Sequence, residues 1–164
     1  MKEENKAYSG VMIAANNVCL SKGVQHHSLK GVVVEYEDVA SRLTMDLDIA
    51  DPSRQEVVRR IRDAVWDTGA TSSNISERTA REMGLQPVDT GMLITAIGAK
   101  EVPIYMVDVL ISKGVGIRNL RVFGSPMKNR DVEFIIGMDI ISRGKLIIDS
   151  TKGRTTVDFT MQEA

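Results

Sequence analysis

Asp67 stands apart among the ionisable residues of this chain. It follows the apolar run Ala64-Val65-Trp66 and opens the segment Thr68-Gly69-Ala70-Thr71-Ser72-Ser73. A charge at the end of an apolar strand is costly unless its neighbours satisfy it. Hydroxyls and backbone N–H groups of small residues can hold a carboxylate, and glycine lets a ligand approach closely. The plain alternative is an Asx turn, in which the aspartate bonds the backbone two residues on. This segment alone leaves both readings open. The tripeptide recurs at Asp89-Thr90-Gly91, after Gln86-Pro87-Val88 and before an apolar run. No cradle of small residues follows that copy, so it is expected to be a solvent-exposed turn without chemistry.

Most other chemistries lack their residues. The histidines are His26 and His27 and the cysteine is Cys19, all in the least patterned part of the chain. A Ser-His-Asp or Cys-His mechanism would have to recruit them from there. A zinc site wants three or four ligands at tight spacings, so Cys19 with His26-His27 is expected to be a small buried thiol and a surface pair. No metal and no cofactor is expected. Gly114-Val115-Gly116 lacks the third glycine of a dinucleotide loop and reads as a turn. Asp46-Leu47-Asp48 lies in an alternating segment that puts both carboxylates on the solvent face. Carboxylates remain the plentiful catalytic groups.

The elements that must position Asp67 are mainly strands. The chain has 18 Val and 15 Ile against 9 Leu, with 10 Thr besides. Branching at Cβ stiffens χ1 and suits a pleated surface. Val32-Val33-Val34 opens a strand, and Leu43, Met45, Leu47 and Ile49 alternate with polar residues. Asp51-Pro52-Ser53 turns the chain into a strand over Val57–Trp66. Ser76 caps a compact helix that Gly84 stops. Met92–Ile97 and Val102–Ile111 flank a turn at Gly98-Ala99-Lys100. Strands follow at Ile117–Phe123, Val132–Ile136, Leu146–Ile148 and Thr155–Phe159, with one or two helical turns over Met138–Ser142. The expected fold is mostly β, a closed or nearly closed β-barrel with one or two short helices.

Size and charge bound the function further. At 164 residues and 18.1 kDa the chain fits one domain, and a net charge of -1 gives no electrostatic footprint for nucleic acid or an acidic membrane. No apolar run is long enough to span a bilayer. The start, Met1-Lys2-Glu3-Glu4-Asn5-Lys6, is mixed in charge, and Asn16-Asn17 interrupts the apolar stretch behind it. A secretory signal has neither feature. A lone cysteine fits a reducing compartment, so a cytoplasmic location is expected.

Ala64-Val65-Trp66-Asp67-Thr68-Gly69-Ala70-Thr71 resembles the catalytic loop of retroviral-type (retropepsin-like) aspartic proteases, particularly their bacterial single-domain relatives. A second segment, Phe134-Ile135-Ile136-Gly137-Met138-Asp139-Ile140-Ile141, resembles the apolar-apolar-Gly strand that passes behind that loop. Gly137 lies 70 residues beyond Asp67, a spacing comparable to one lobe of such an enzyme. Gly144-Lys145-Leu146-Ile147-Ile148-Asp149 continues the match, which spans about residues 40–160. The resemblance implies an aspartic-type endopeptidase in which Asp67 is catalytic. It implies that Thr68 braces the loop across to a partner subunit, Gly69 admits the substrate backbone and Ala70 keeps the floor small. Ile136 and Gly137 would pack under the loop, and the hairpin around Ile97, Gly98 and Ala99 would be the flap. Residues 1–30 would be an N-terminal extension of unknown role and 31–164 the protease domain.

Hydrolysis by this route needs two aspartates with a water between them. Like charges that close share one proton, so one member serves as general base and the other donates to the scissile carbonyl. The chain supplies one suitable loop, so a symmetric homodimer acting on a peptide or protein substrate is expected, with the site on its two-fold axis. Two other readings compete with it. One is a catalytically inactive retropepsin-like peptide-binding or dimerisation module, and the other a small ligand-binding barrel with Asp67 in a plain turn.

Overall fold

Alternation of branched apolar and polar residues pairs the chain into ten strands, described here for residues 29–95, 98–127 and 131–162 of a computed structural model. Cys19, His26 and His27 lie outside the described residues. In chain order the first strands are β1 (Leu29–Glu35), β2 (Thr44–Asp51), β3 (Arg54–Trp66) and β4 (Asn74–Ser76). Then come α1 (Glu77–Glu82), β5 (Asp89–Thr95), β6 (Gly98–Ser112) and β7 (Val115–Ser125). The chain ends through β8 (Phe134–Ile136), α2 (Met138–Ile141), β9 (Gly144–Asp149) and β10 (Thr156–Gln162). The mostly-β expectation and the two short helices hold.

The larger sheet runs β2-β3-β8-β4-β7-β6-β5, and a further β2–β6 pairing closes it on itself. Ile49 of β2 lies opposite Arg59 of β3 on one side and Val109 of β6 on the other. Closure gives the alternating residues an inside, where Leu47, Ile49, Ile61, Ile75, Val107, Phe134 and Ile136 are fully buried. Asp46 and Asp48 point the other way and pair with Arg60, on the outer face where the alternation placed them. A second sheet, β1-β10-β9, folds against this ring. Trp66 meets Phe159 there, with ring centroids 5.1 Å apart and planes tilted by 57°.

Local chemistry sets the boundaries. The Ser76 hydroxyl accepts from Thr79 N–H at 3.0 Å and caps α1. Gly84, at φ +66, leaves the helix in the left-handed region that glycine adopts without strain. Two expected turns are instead strand. Asp89-Thr90-Gly91 forms the start of β5, because Gly91 passes so close to Phe123 and Ile104 that its backbone must lie flat on the sheet. Gly98-Ala99-Lys100 begins β6, where Gly98 pairs with Thr95.

Candidate active site

Pairing order alone makes a special loop of residues 67–73. β3 runs parallel to β8, with Trp66 beside Ile136, whereas β4 runs antiparallel to β8, with Asn74 beside Ile135. β8 therefore lies between two consecutive strands of the chain. The segment joining them must arch over the end of β8, where Ile136 passes into Gly137.

Hydrogen bonds fix the arch from below. Asp67 N–H donates to the Ile136 carbonyl at 3.0 Å, and Met138 N–H donates to the Ala70 carbonyl at 2.8 Å. Between them, Gly137 N–H donates to Ser73 Oγ at 3.0 Å. A Cβ on Gly137 would sit 2.5 Å from the Ser72 carbonyl carbon and 2.7 Å from its oxygen. Only glycine lets the two backbones approach this closely. Asp139, in the first turn of α2, completes the brace. Its carboxylate accepts from Ser73 N–H at 2.9 Å and from Ser73 Oγ–H at 2.6 Å.

Above this brace, Asp67 is partly exposed and Thr68 and Gly69 are exposed. Asp67 Oδ1 accepts from Gly69 N–H at 2.9 Å. That is the bond of an Asx turn. A plain turn, however, gives no reason for the bonds from residues 136–139 that hold this one in place. The loop presents one partly exposed carboxylate above a hydrogen-bonded brace, with small residues around it. Two cavities of about 400 Å³ lie elsewhere, one beside Arg78, Arg81 and Pro126, the other beside Arg54, Leu85 and Met106. Neither is lined by Asp67.

The second Asp-Thr-Gly contrasts with the first. Asp89 is exposed and pairs with Arg121 at 2.7 Å. The Arg121 guanidinium, helped by Thr90 N–H, holds its carboxyl below the usual range. Of the expected flap residues, Gly98 and Ala99 are exposed at the end of the β5–β6 hairpin, and Ile97 lies outside the described residues. Ile136 and Gly137 are buried under the loop.

Residue reasoning passed over Ser73 and Asp139 as functional positions. Two signals pointed at them: a serine closing the small-residue loop, and an acid two residues past Gly137 at the head of a short helix. It also passed over Glu133, which enters β8 bound to Arg59 at 2.5 Å and lies 3.5 Å from Arg78. Among the described residues no three His, Cys, Asp or Glu side chains gather as a metal site would need. No helix among them is long and apolar enough to cross a membrane.

A single β lobe with an Asp-Thr-Gly loop arched over an Ile-Ile-Gly strand defines the retropepsin-like class of fold. Residues 57–143 match the family described as gag-polyprotein putative aspartyl proteases, and the chain belongs to that family. The fold is similar to that of a retropepsin-like aspartic protease from Rickettsia conorii, with a TM-score of 0.54 at 14% identity over 85% of this chain and 98% of that one. A Simian Foamy Virus (mac) protease is more distant, with a TM-score of 0.41 at 18% identity over 61% of this chain and 92% of that one. No curated protein sequence matches the chain.

Proposed function

We propose that the protein is an aspartic endopeptidase, active as a homodimer in which two Asp67 carboxylates face each other across a two-fold axis. The observation that carries this reading is the brace beneath Asp67. The bonds from Ile136, Gly137 and Met138 hold a partly exposed carboxylate in one position, as a preorganised catalytic group requires. One loop supplies one carboxylate, and family membership supports a chemistry that takes two.

In the dimer the two carboxylates share a proton. The ionised one takes a proton from the water between them as that water attacks the scissile carbonyl carbon. The protonated one donates to the carbonyl oxygen, and the tetrahedral intermediate then collapses with a proton passed to the leaving amine. Thr68 braces one loop against the other, Gly69 and Ala70 leave room for an extended peptide, and Ile136 and Gly137 carry the loop from beneath. The hairpin bearing Ile97, Gly98 and Ala99 closes over the substrate. Residues 31–164 form the protease domain and residues 1–30 an extension to it.

Asp67→Asn keeps the shape of the side chain and removes the charge. It is expected to abolish cleavage of an unstructured protein substrate, by at least about a thousandfold, as loss of an essential acid-base group does. Asp89→Asn is expected to leave cleavage intact. Cleavage by Asp67→Asn at the wild-type rate would rule the proposal out. A wild-type chain that dimerises and binds peptide without cutting would make it the inactive binding module.

A further inference from the structure

The glycine of the second Asp-Thr-Gly meets an aromatic ring. A Cβ on Gly91 would sit 2.8 Å from Phe123 Cε1 and 2.9 Å from Ile104 Cδ1. Its φ is not positive, so close approach rather than backbone conformation calls for glycine here. β5 and β7 flank β6, and strands about 4.8 Å apart put the two outer backbones nearly twice that distance from each other. The Phe123 ring spans this gap and reaches β5 where no side chain stands in its way.

Phe123 is also tied to the Asp67 loop. Its N–H donates to the Ser73 carbonyl at 3.1 Å, and Ser73 is held in turn by Gly137 and Asp139. Residues directly opposite each other share a face of the sheet. Val65, Ile135, Asn74, Phe123 and Ile104 therefore form one row across β3, β8, β4, β7 and β6, beginning two residues before Asp67. In that row Val65, Ile135 and Phe123 are half-buried. The β5–β6 hairpin turns the side of Gly91 and Leu93 toward the row, whereas Met92 and Ile94 point away and are 57% and 80% exposed. Beside Gly91, Thr90 Oγ1 donates to the Glu101 carboxylate at 3.1 Å and ties the two strands of the hairpin together. The Asp89–Arg121 ion pair is exposed and so adds little to this anchorage.

We propose that Gly91 and Phe123 form the seat of the β5–β6 hairpin and set how far it stands above the Asp67 loop. Both are positioning residues. The ring edge fixes the height of the hairpin, and the backbone of the same residue is bonded to the loop, so the two walls that hold an extended peptide keep a constant separation. Disturbing the seat weakens the grip on peptide and leaves the acid-base step alone. This inference rests on the peptide-binding reading of the Asp67 site.

The test uses the full chain with Gly91→Ala, Phe123→Leu and the two combined, and casein as the unstructured substrate. Gly91→Ala sets a methyl group against the ring and lifts the hairpin, whereas Phe123→Leu takes the ring edge away. Each alone is expected to raise KM by about tenfold, with kcat within about twofold of wild type. In the double variant the methyl group takes the place that the ring edge has left, and KM is expected to return to within about threefold of wild type. Partial unfolding lowers the apparent kcat and leaves KM unchanged, so a purely structural role does not produce this pattern. Circular dichroism checks the fold of each variant, and Phe123→Leu, which only removes atoms, carries the test alone if Gly91→Ala does not fold. A wild-type KM in either single variant would overturn the seat, as would defects that simply multiply in the double variant. Binding of casein to the Asp67→Asn chain separates this inference from the protease. A wild-type chain that binds casein without cutting it removes the protease, while binding that is lost in Gly91→Ala and regained with Phe123→Leu leaves the seat standing. A Gly91→Ala chain that cuts casein with wild-type KM leaves the protease standing and removes the seat.

Discussion

At the scale of single residues, the Asp67 loop rests on two buried positions, Gly137 and Ser73. Gly137 lies where Ser72 crosses β8, and a methyl group there would overlap the Ser72 carbonyl, which is backbone and cannot swing aside. Gly137→Ala is therefore expected to destabilise the fold by about 3 kcal/mol, as forced overpacking does, measured by denaturant unfolding. Ser73 is fully buried and accepts from Gly137 while donating twice to Asp139. Ser73→Ala leaves one N–H and one carboxylate oxygen without the hydroxyl, a cost of about 1–3 kcal/mol. It should also lower kcat more than it changes KM, because the loop that carries Asp67 loosens while the peptide-binding surface stays. A rate unchanged at full occupancy would show that Ser73 serves stability alone.

At the scale of elements, much was legible because the cues were local. The β2 alternation, the Ser76 cap and the Gly84 stop are each decided within a few residues, and each stands where the residues place it. Gly98 looks like a turn glycine, but the cross-strand register that makes it a strand residue comes from its pairing with Thr95. The insertion of β8 between β3 and β4 was not readable from spacing, since it pairs segments about seventy residues apart. The family resemblance put this strand behind the loop, and the pairing with both β3 and β4 comes from the structure. The β2–β3 turn offers a prediction at this scale. Burial alone would raise the Asp51 carboxyl, but the hydroxyl and N–H of Ser53, with the Arg54 guanidinium, outweigh it and hold the carboxyl below its usual range. A lowered folded value means stability that is fully present above the unfolded value of about 3.9 and lost as pH falls through the folded one. Asp51→Asn is expected to lower the melting temperature at neutral pH and to lose its difference from wild type as the solution is acidified below about pH 4. A gap that persisted unchanged into acid would mean that the charge of Asp51 contributes nothing.

At the scale of the whole molecule, the proposed two-carboxylate site needs two copies of the chain, because one loop supplies one aspartate. Asp67 is partly exposed and lines neither of the two cavities described above. If both carboxylates are needed, a dimer of one wild-type chain and one Asp67→Asn chain holds a single carboxylate and cannot divide the acid and base roles. With free exchange, an equal mixture leaves about one quarter of the dimers wild type on both sides. Cleavage should then fall to about half of that given by the same amount of wild-type chain alone, and dilution of the wild type should lower its activity per chain. The loss on mixing should disappear when Asp67→Asn is replaced by a variant that cannot associate, whereas the dilution effect of the wild type alone should remain. An Asp67→Asn chain that associates with wild type yet leaves its activity untouched would mean that each chain cuts with its own aspartate, and the two-fold site would have to be abandoned.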